Sequence, residues 1–149
     1  MRRRRFIALT AGAFAATSLR ATAQEVQDIA PFVNTITGGA KPDEGGIEID
    51  LPQLAENGHS VPLTVKVASP MSEQDYVSAI HVIAERNPRP AVATFHIGPW
   101  SGRAEVGTRI RLAGTQKVTI VAALSGNRFR IARKEIVVAS AACLDEASL

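Results

Sequence analysis

Apolar and polar residues alternate along most of the chain beyond residue 46. The alternation is clearest in residues 47–51, 61–67 and 104–112, where nearly every second position is apolar. A period of two is that of a β-strand with one face buried and the other in water. The pattern therefore predicts a protein built mainly of strands.

About seven short strands are predicted, with turn signals at intervals of roughly ten residues. They cover residues 47–51, 61–67, 80–84, 92–97, 104–112, 118–124 and 129–138. Only residues 72–78 offer a helical stretch between strands, so a βαβ arrangement is disfavoured. The spacing favours an all-β fold, an immunoglobulin-like antiparallel β-sandwich.

Four further features complete the predicted fold. Residues 24–36 have loosely helical apolar spacing, which predicts a short N-terminal helix packed on one edge of the domain. The glycine-rich stretch 37–46 predicts a flexible loop. Asn57-Gly58 is typical of hairpin turns and is expected to join the first two strands. Pro62 has no amide hydrogen, so it is expected at the start of its strand or on an edge.

Residues 1–23 have the features of an export signal. Four arginines at positions 2–5 precede Phe6-Ile7, and an apolar stretch at 8–19 leads to Arg20 and Ala-Thr-Ala at 21–23. That stretch is too short to span a bilayer, and a basic amphipathic helix on the folded domain is the alternative reading. The paired arginines favour the twin-arginine route and hence the periplasm. No cysteine directly follows the stretch, so no lipid anchor is expected.

Removal of this segment changes the charge of the protein. The segment contains five arginines and no acidic residue, so the remainder has 12 of the 17 basic residues and all 14 acidic ones, a net charge of −2. The basic composition thus belongs to the export signal, and nucleic-acid binding loses its support. The remaining chain is expected to form one domain without a membrane anchor.

Cys143 is the only cysteine, and it follows the last predicted strand in a tail of small residues. In an oxidising compartment a single thiol cannot form a disulfide within its own chain. Its position beyond the last strand makes it accessible to another molecule, which favours covalent attachment chemistry. The alternative is a tail cysteine with no role.

Other reactive residues favour no catalytic, cofactor or metal site. His59, His81 and His96 lack the close spacing of metal ligands, and no phosphate loop, dinucleotide fingerprint or nucleophile elbow is present. The adjacent acids at 43–44 are interpreted as solvated charge. Trp100 is either an exposed contact for a partner or a residue that covers the rim of the core.

Several motifs, in one order, resemble those of SoxY, the sulfur carrier of periplasmic sulfur oxidation. They are Asn-Gly-His-Ser-Val-Pro-Leu at 57–63, Ala-Ser-Pro-Met-Ser at 68–72, Asp-Tyr-Val at 75–77, Asn-Pro-Arg-Pro at 87–90 and Thr-Arg-Ile-Arg-Leu at 108–112. The resemblance implies an immunoglobulin-like sandwich paired with a second sandwich subunit, SoxZ. It also implies that Cys143 holds sulfur intermediates on a C-terminal swinging arm.

The arm departs from the usual pattern of that family, which is Gly-Gly-Cys-Gly-Gly. Cys143 is flanked by Ala141-Ala142 and by Leu144-Asp145, which resembles a related branch with an Ala-Ala-Cys-Ile-Glu arm. Glycines allow close approach to an enzyme's reactive centre, whereas Leu144 would crowd a narrow channel. Carboxylates near the sulfur also disfavour its thiolate form.

The sequence thus predicts three segments: an export signal at 1–23, a sandwich at 24–138 and a cysteine-bearing arm at 139–149. The predicted protein is not an enzyme but a periplasmic carrier of sulfur intermediates on Cys143. It would act in thiosulfate-type oxidation with a SoxZ-like partner and with enzymes that dock on the arm. The alternative is a non-catalytic interaction subunit of another periplasmic complex, with Cys143 dispensable.

Overall fold

The computed structural model describes residues 25–141, which form a β-sandwich with one α-helix. The elements are α1 (Ala30–Thr37), β1 (Asp43–Glu44), β2 (Ile47–Asp50), β3 (Leu54–Asn57), β4 (Val61–Val67), β5 (Val77–Ala84), β6 (Ala91–His96), a 3₁₀ turn (Pro99–Ser101), β7 (Glu105–Ile110), β8 (Gln116–Leu124) and β9 (Arg128–Ser140). No helix in this part of the chain is long and apolar enough to cross a membrane.

The strands form two sheets, as predicted for an immunoglobulin-like sandwich. The larger sheet has the order β1-β9-β8-β5-β6, with β3 also paired to β9, and the smaller has the order β2-β4-β7. Pairing is antiparallel except where the short strands β1 and β3 run parallel to β9. All seven predicted strands are present, and these two short ones are additional.

The core lies between the two sheets. Leu63 on β4, Ile80 on β5 and Ile120 on β8 are fully buried there. Strand β4 alternates strictly between buried and less buried positions, because its other face is in water. Strand β8 is buried along nearly its whole length, which fits its sequence, because Thr119 is the only polar residue from 118 to 124.

Helix α1 covers the outer face of the larger sheet. Pro31 lies in its first turn, and Gly38 ends it in the left-handed conformation at φ 61°, with its amide donating to the Asn34 carbonyl. Its apolar side chains pack on Ile83, Val121 and Ile131. The side chains that pack there are Phe32, Val33 and Ile36 of the helix and Ile29 just before it. The predicted helix is confirmed, but it lies on a sheet face and not on an edge.

The connection from β2 to β4 differs from the predicted hairpin. Asn57 belongs to β3, which crosses to the larger sheet and pairs there with β9, so Asn57-Gly58 does not form a two-residue hairpin turn. The amide of Gly58 instead donates to the carbonyl of Ser140 at 2.8 Å. Pro62 is the second residue of its strand, as expected for a residue at the start, but that strand is central in its sheet.

Candidate functional site

Strand β9 ends three positions before the predicted attachment residue, Cys143, along the chain. It runs to Ser140, two residues past the predicted end of the sandwich, while Cys143 lies outside the described residues. The Val137 amide donates to the Gln53 carbonyl at 2.9 Å, and the Ser140 carbonyl accepts from Gly58. The backbone is therefore held by β3 almost to Ala141, which we call the exit point of the chain.

A buried amide network lies beneath this end of β9. The Asn87 Oδ1 atom accepts from the Ala113 amide at 2.9 Å and from Gln116 Nε2 at 3.1 Å, and its Nδ2 atom donates to the Arg111 carbonyl at 2.8 Å. Asn87 and Gln116 are both buried. In this way one side chain fixes the loop between β7 and β8 against the loop after β5.

The network reaches β9 through Thr115. The Val138 amide donates to Thr115 Oγ1 at 3.0 Å, and the Arg86 amide donates to Gln116 Oε1 at 2.9 Å. Sequence reasoning missed this role of Asn87, because Asn-Pro-Arg-Pro at 87–90 served there as a turn signal and as a motif of the resemblance. Neither use shows what the Asn87 side chain binds. One signal could have indicated the network: Asn87 is a polar residue just after a predicted strand, and a second amide residue, Gln116, lies just before another.

The three histidines do not form a metal site in the described part of the chain. His59 is exposed on a loop, whereas His81 and His96 lie on adjacent strands, where His96 pairs with Ala79. No group of three or more His, Cys, Asp or Glu residues between 25 and 141 is placed to hold a metal ion. Spacing along the sequence could not show that His81 and His96 lie near each other, since their proximity arises from the pairing of β5 with β6.

The His81 ring is half-buried and lies 3.0 Å from the Thr94 hydroxyl, measured from Nδ1 to Oγ1. Burial, and secondarily the nearby charge of His96, lower the pKa of His81 below its ordinary value of 6.5. Between the lowered pKa and pH 6.5 the unfolded chain binds more protons than the folded protein. Neutral His81 therefore contributes to the free energy of unfolding above pH 6.5, and this contribution is lost as the pH falls through the lowered pKa.

We therefore expect the free energy of unfolding to decrease as the pH is lowered below 6.5, and to decrease less in a His81→Gln variant. Urea unfolding of both proteins across this pH range would measure the effect. His59→Gln, on an exposed loop, is the matched control and should follow the wild type. Identical pH profiles for wild type and H81Q would show that the burial of His81 has no such consequence.

Trp100 and the acidic pair that forms β1 are all exposed. Trp100 is 80% exposed with its indole against Gly98, so the interpretation as a cover for the core is wrong. Asp43 and Glu44 are exposed, and Glu44 accepts a charged hydrogen bond from Arg133 at 2.9 Å. An exposed pair of this kind contributes little to stability.

The fold and the exit point together define an immunoglobulin-like sandwich whose last strand leads towards the only cysteine of the sequence. The family model described as sulfur oxidation protein SoxY matches residues 33–143. The chain therefore belongs to the SoxY family. The matched region ends on Cys143, so the cysteine lies inside the part of the chain that the family shares.

Solved structures give a consistent result. The sulfur carrier protein SoxY from Chlorobium limicola f. thiosulfatophilum is 29% identical, with a TM-score of 0.62, covering 72% of this chain and 89% of its own. A superoxide reductase (neelaredoxin) from Ignicoccus hospitalis is 17% identical, with a TM-score of 0.57, covering 63% of this chain and 80% of its own. At that identity it shows the fold alone. No curated protein sequence is significantly similar to the chain.

Proposed function

We propose that this protein is a periplasmic carrier that holds sulfur intermediates covalently on Cys143 while partner enzymes act on them. The observation that carries the proposal is the SoxY family match, which extends to Cys143. Cys143 is two positions beyond Ala141, so its Cα atom lies within about 7 Å of the exit point even when the chain is fully extended. The thiol is therefore kept near the body of the sandwich but beyond its last strand.

The chemistry requires an acceptor for electrons. Joining thiosulfate to the thiol forms one S–S bond, giving a Cys143 S-thiosulfonate, and releases one proton and two electrons. The carrier has no second cysteine to take part. An electron-accepting redox cofactor of a partner enzyme must therefore receive both electrons, which is why the carrier by itself is not an enzyme.

The arm sequence Ala-Ala-Cys-Leu-Asp-Glu bears on how fast this step runs. Asp145 and Glu146 follow Cys143 closely, and neighbouring carboxylates disfavour the thiolate that attacks sulfur. We assign the arm to the branch with an Ala-Ala-Cys-Ile-Glu motif. Within this proposal, the enzymes that act on this arm have active-site entrances wide enough for Leu144. A narrower channel would require the glycines of the usual arm.

A SoxZ-type subunit completes the proposal. Strand β6 is an open edge of the larger sheet, and its sequence Ala-Val-Ala-Thr-Phe-His contains no Lys, Arg, Asp or Glu. Open edges of this kind are normally covered or blunted. Twin-arginine export transports folded proteins, so a partner without its own signal can cross the membrane bound to this chain. The working unit is then a heterodimer in the periplasm.

Purification from the periplasm of the host, grown on thiosulfate, tests both parts of the proposal. We expect a complex with a second small β-sandwich protein, and peptide mass spectrometry should find sulfur adducts on Cys143. Unmodified Cys143 throughout would contradict the carrier role. A monomer of the mature mass, in a host that encodes no such subunit, would contradict the partner.

A further inference from the structure

Three large apolar side chains are exposed around the exit point of the chain. Val26, Leu54 and Val137 are 50%, 61% and 51% exposed, and we call them the exit patch. Leu54 and Val137 are register partners in the β3–β9 pair, with Ala55 and Val138 facing the core beside them. Their side chains therefore lie next to each other on the outer face. Val26 and Val137 line the same open groove, of about 570 Å³.

The charges that border this groove are matched within the protein. Lys117 Nζ lies 3.5 Å from Glu135 Oε1, Glu85 accepts a hydrogen bond from the Lys117 amide, and Arg86 Nη1 donates to the Thr115 carbonyl at 3.0 Å. The surface thus has an apolar centre and an electrically balanced polar rim. This is the usual composition of a protein-binding surface, and it suits an apolar, uncharged contact.

The distance along the chain identifies the occupant. Cys143 is six positions beyond Val137, so its Cα atom is at most about 20 Å from that of Val137. An enzyme that encloses Cys143 in its active site must therefore come within that distance of the sandwich. The arm itself is a poorer occupant, because the cations of the rim are already engaged, Lys117 with Glu135 and Arg86 with the Thr115 carbonyl. The rim therefore has little to attract Asp145 and Glu146 of the arm.

We propose that the exit patch is a docking surface on the sandwich for the enzyme that loads Cys143, additional to that enzyme's contact with the arm. This inference rests on the proposed carrier function. The contact increases the local concentration of the enzyme at the arm. Its occupant presents an apolar side chain to Leu54 and Val137 and a polar margin to the rim.

The test compares Leu54→Asp and Val137→Thr with Trp100→Asp. Trp100 is a matched control because it is also an exposed large apolar residue, but it follows β6 at the opposite end of the sandwich. Each variant, purified with its partner subunit, is mixed with periplasmic extract of the host and thiosulfate. Mass spectrometry then follows the adduct on Cys143 over time. We expect loading at least tenfold slower in L54D, several-fold slower in V137T and within twofold of wild type in W100D.

Four outcomes would overturn the inference. If L54D and the wild type are loaded at the same rate, the docking role of the exit patch is contradicted and the carrier function is not. If the wild type forms no adduct, both the docking role and the carrier function are contradicted. Loss of the partner subunit from L54D would assign the patch to the subunit interface. Faster alkylation of Cys143 by iodoacetamide in L54D than in wild type would assign it to the protein's own arm.

Discussion

Replacing Cys143 by serine is expected to abolish sulfur loading and reduce thiosulfate-dependent growth of the host to that of a deletion strain. Serine keeps the size and polarity of the side chain but cannot form the S–S bond on which carriage depends. Cys143 is the only cysteine, so no second thiol can substitute. Growth and adduct formation, measured in strains that express the variant from its own locus, would show the effect.

The control is Ala142→Ser, a change of similar size in the same arm that leaves the thiol in place. It should retain both loading and growth. Complex formation should be unchanged in both variants, because Cys143 lies beyond the sandwich. A C143S strain that keeps its function, with the complex intact, would favour the rival account of a structural subunit with a dispensable cysteine.

Asn87→Ala is expected to cause the largest loss of stability among polar substitutions near the exit point. Its side chain makes three hydrogen bonds in a buried site, to Ala113, Gln116 and Arg111. Alanine would leave these partners without the groups they now bond, at a cost of about 2–4 kcal/mol in the free energy of unfolding. Chemical denaturation monitored by circular dichroism measures this directly.

Asn34→Ala serves as the matched control for that experiment. Asn34 is exposed on α1, and alanine has a higher helix propensity than asparagine. The free energy of unfolding of N34A should therefore be within about 0.5 kcal/mol of that of wild type. A loss below 1 kcal/mol in N87A would show that the loops around the exit point do not depend on the Asn87 amide.

The strands could be predicted because two signals agreed in each of them. Residues 61–67 alternate and follow the turn signal Asn57-Gly58, and 118–124, apolar except at Thr119, lie between turn signals. Both signals arise from local burial, so both are visible in a single sequence. The helix at 30–37 was predicted for the same reason, but the face on which it packs depends on Val121 and Ile131, far away along the chain.

Features that depend on distant pairing could not be predicted. Strand β3 has no alternating pattern and exists because it runs parallel to β9, more than 80 residues later. Asn57-Gly58 has the composition of a hairpin turn, but the chain uses it where β3 leaves the larger sheet. Leu54 and Val137 likewise become neighbours only through this pairing, so the exit patch had no signal in the sequence.

The candidate site shows the same division. Cys143 was identified from its single occurrence and from the resemblance to SoxY, and the family match includes it. The structure adds the surroundings of the exit point, including the Asn87 network and the exposed Leu54 and Val137. These depend on which loops meet at one end of the sandwich, which is a property of the fold.

The most direct test of carriage is a pulse and chase with thiosulfate labelled with heavy sulfur in living cells. A carrier is loaded and unloaded, so the label is predicted to appear on the peptide that contains Cys143 during the pulse and to leave it during the chase, at a rate matching thiosulfate consumption. A label that never reaches Cys143, or that remains there through the chase while thiosulfate is still consumed, would contradict the account.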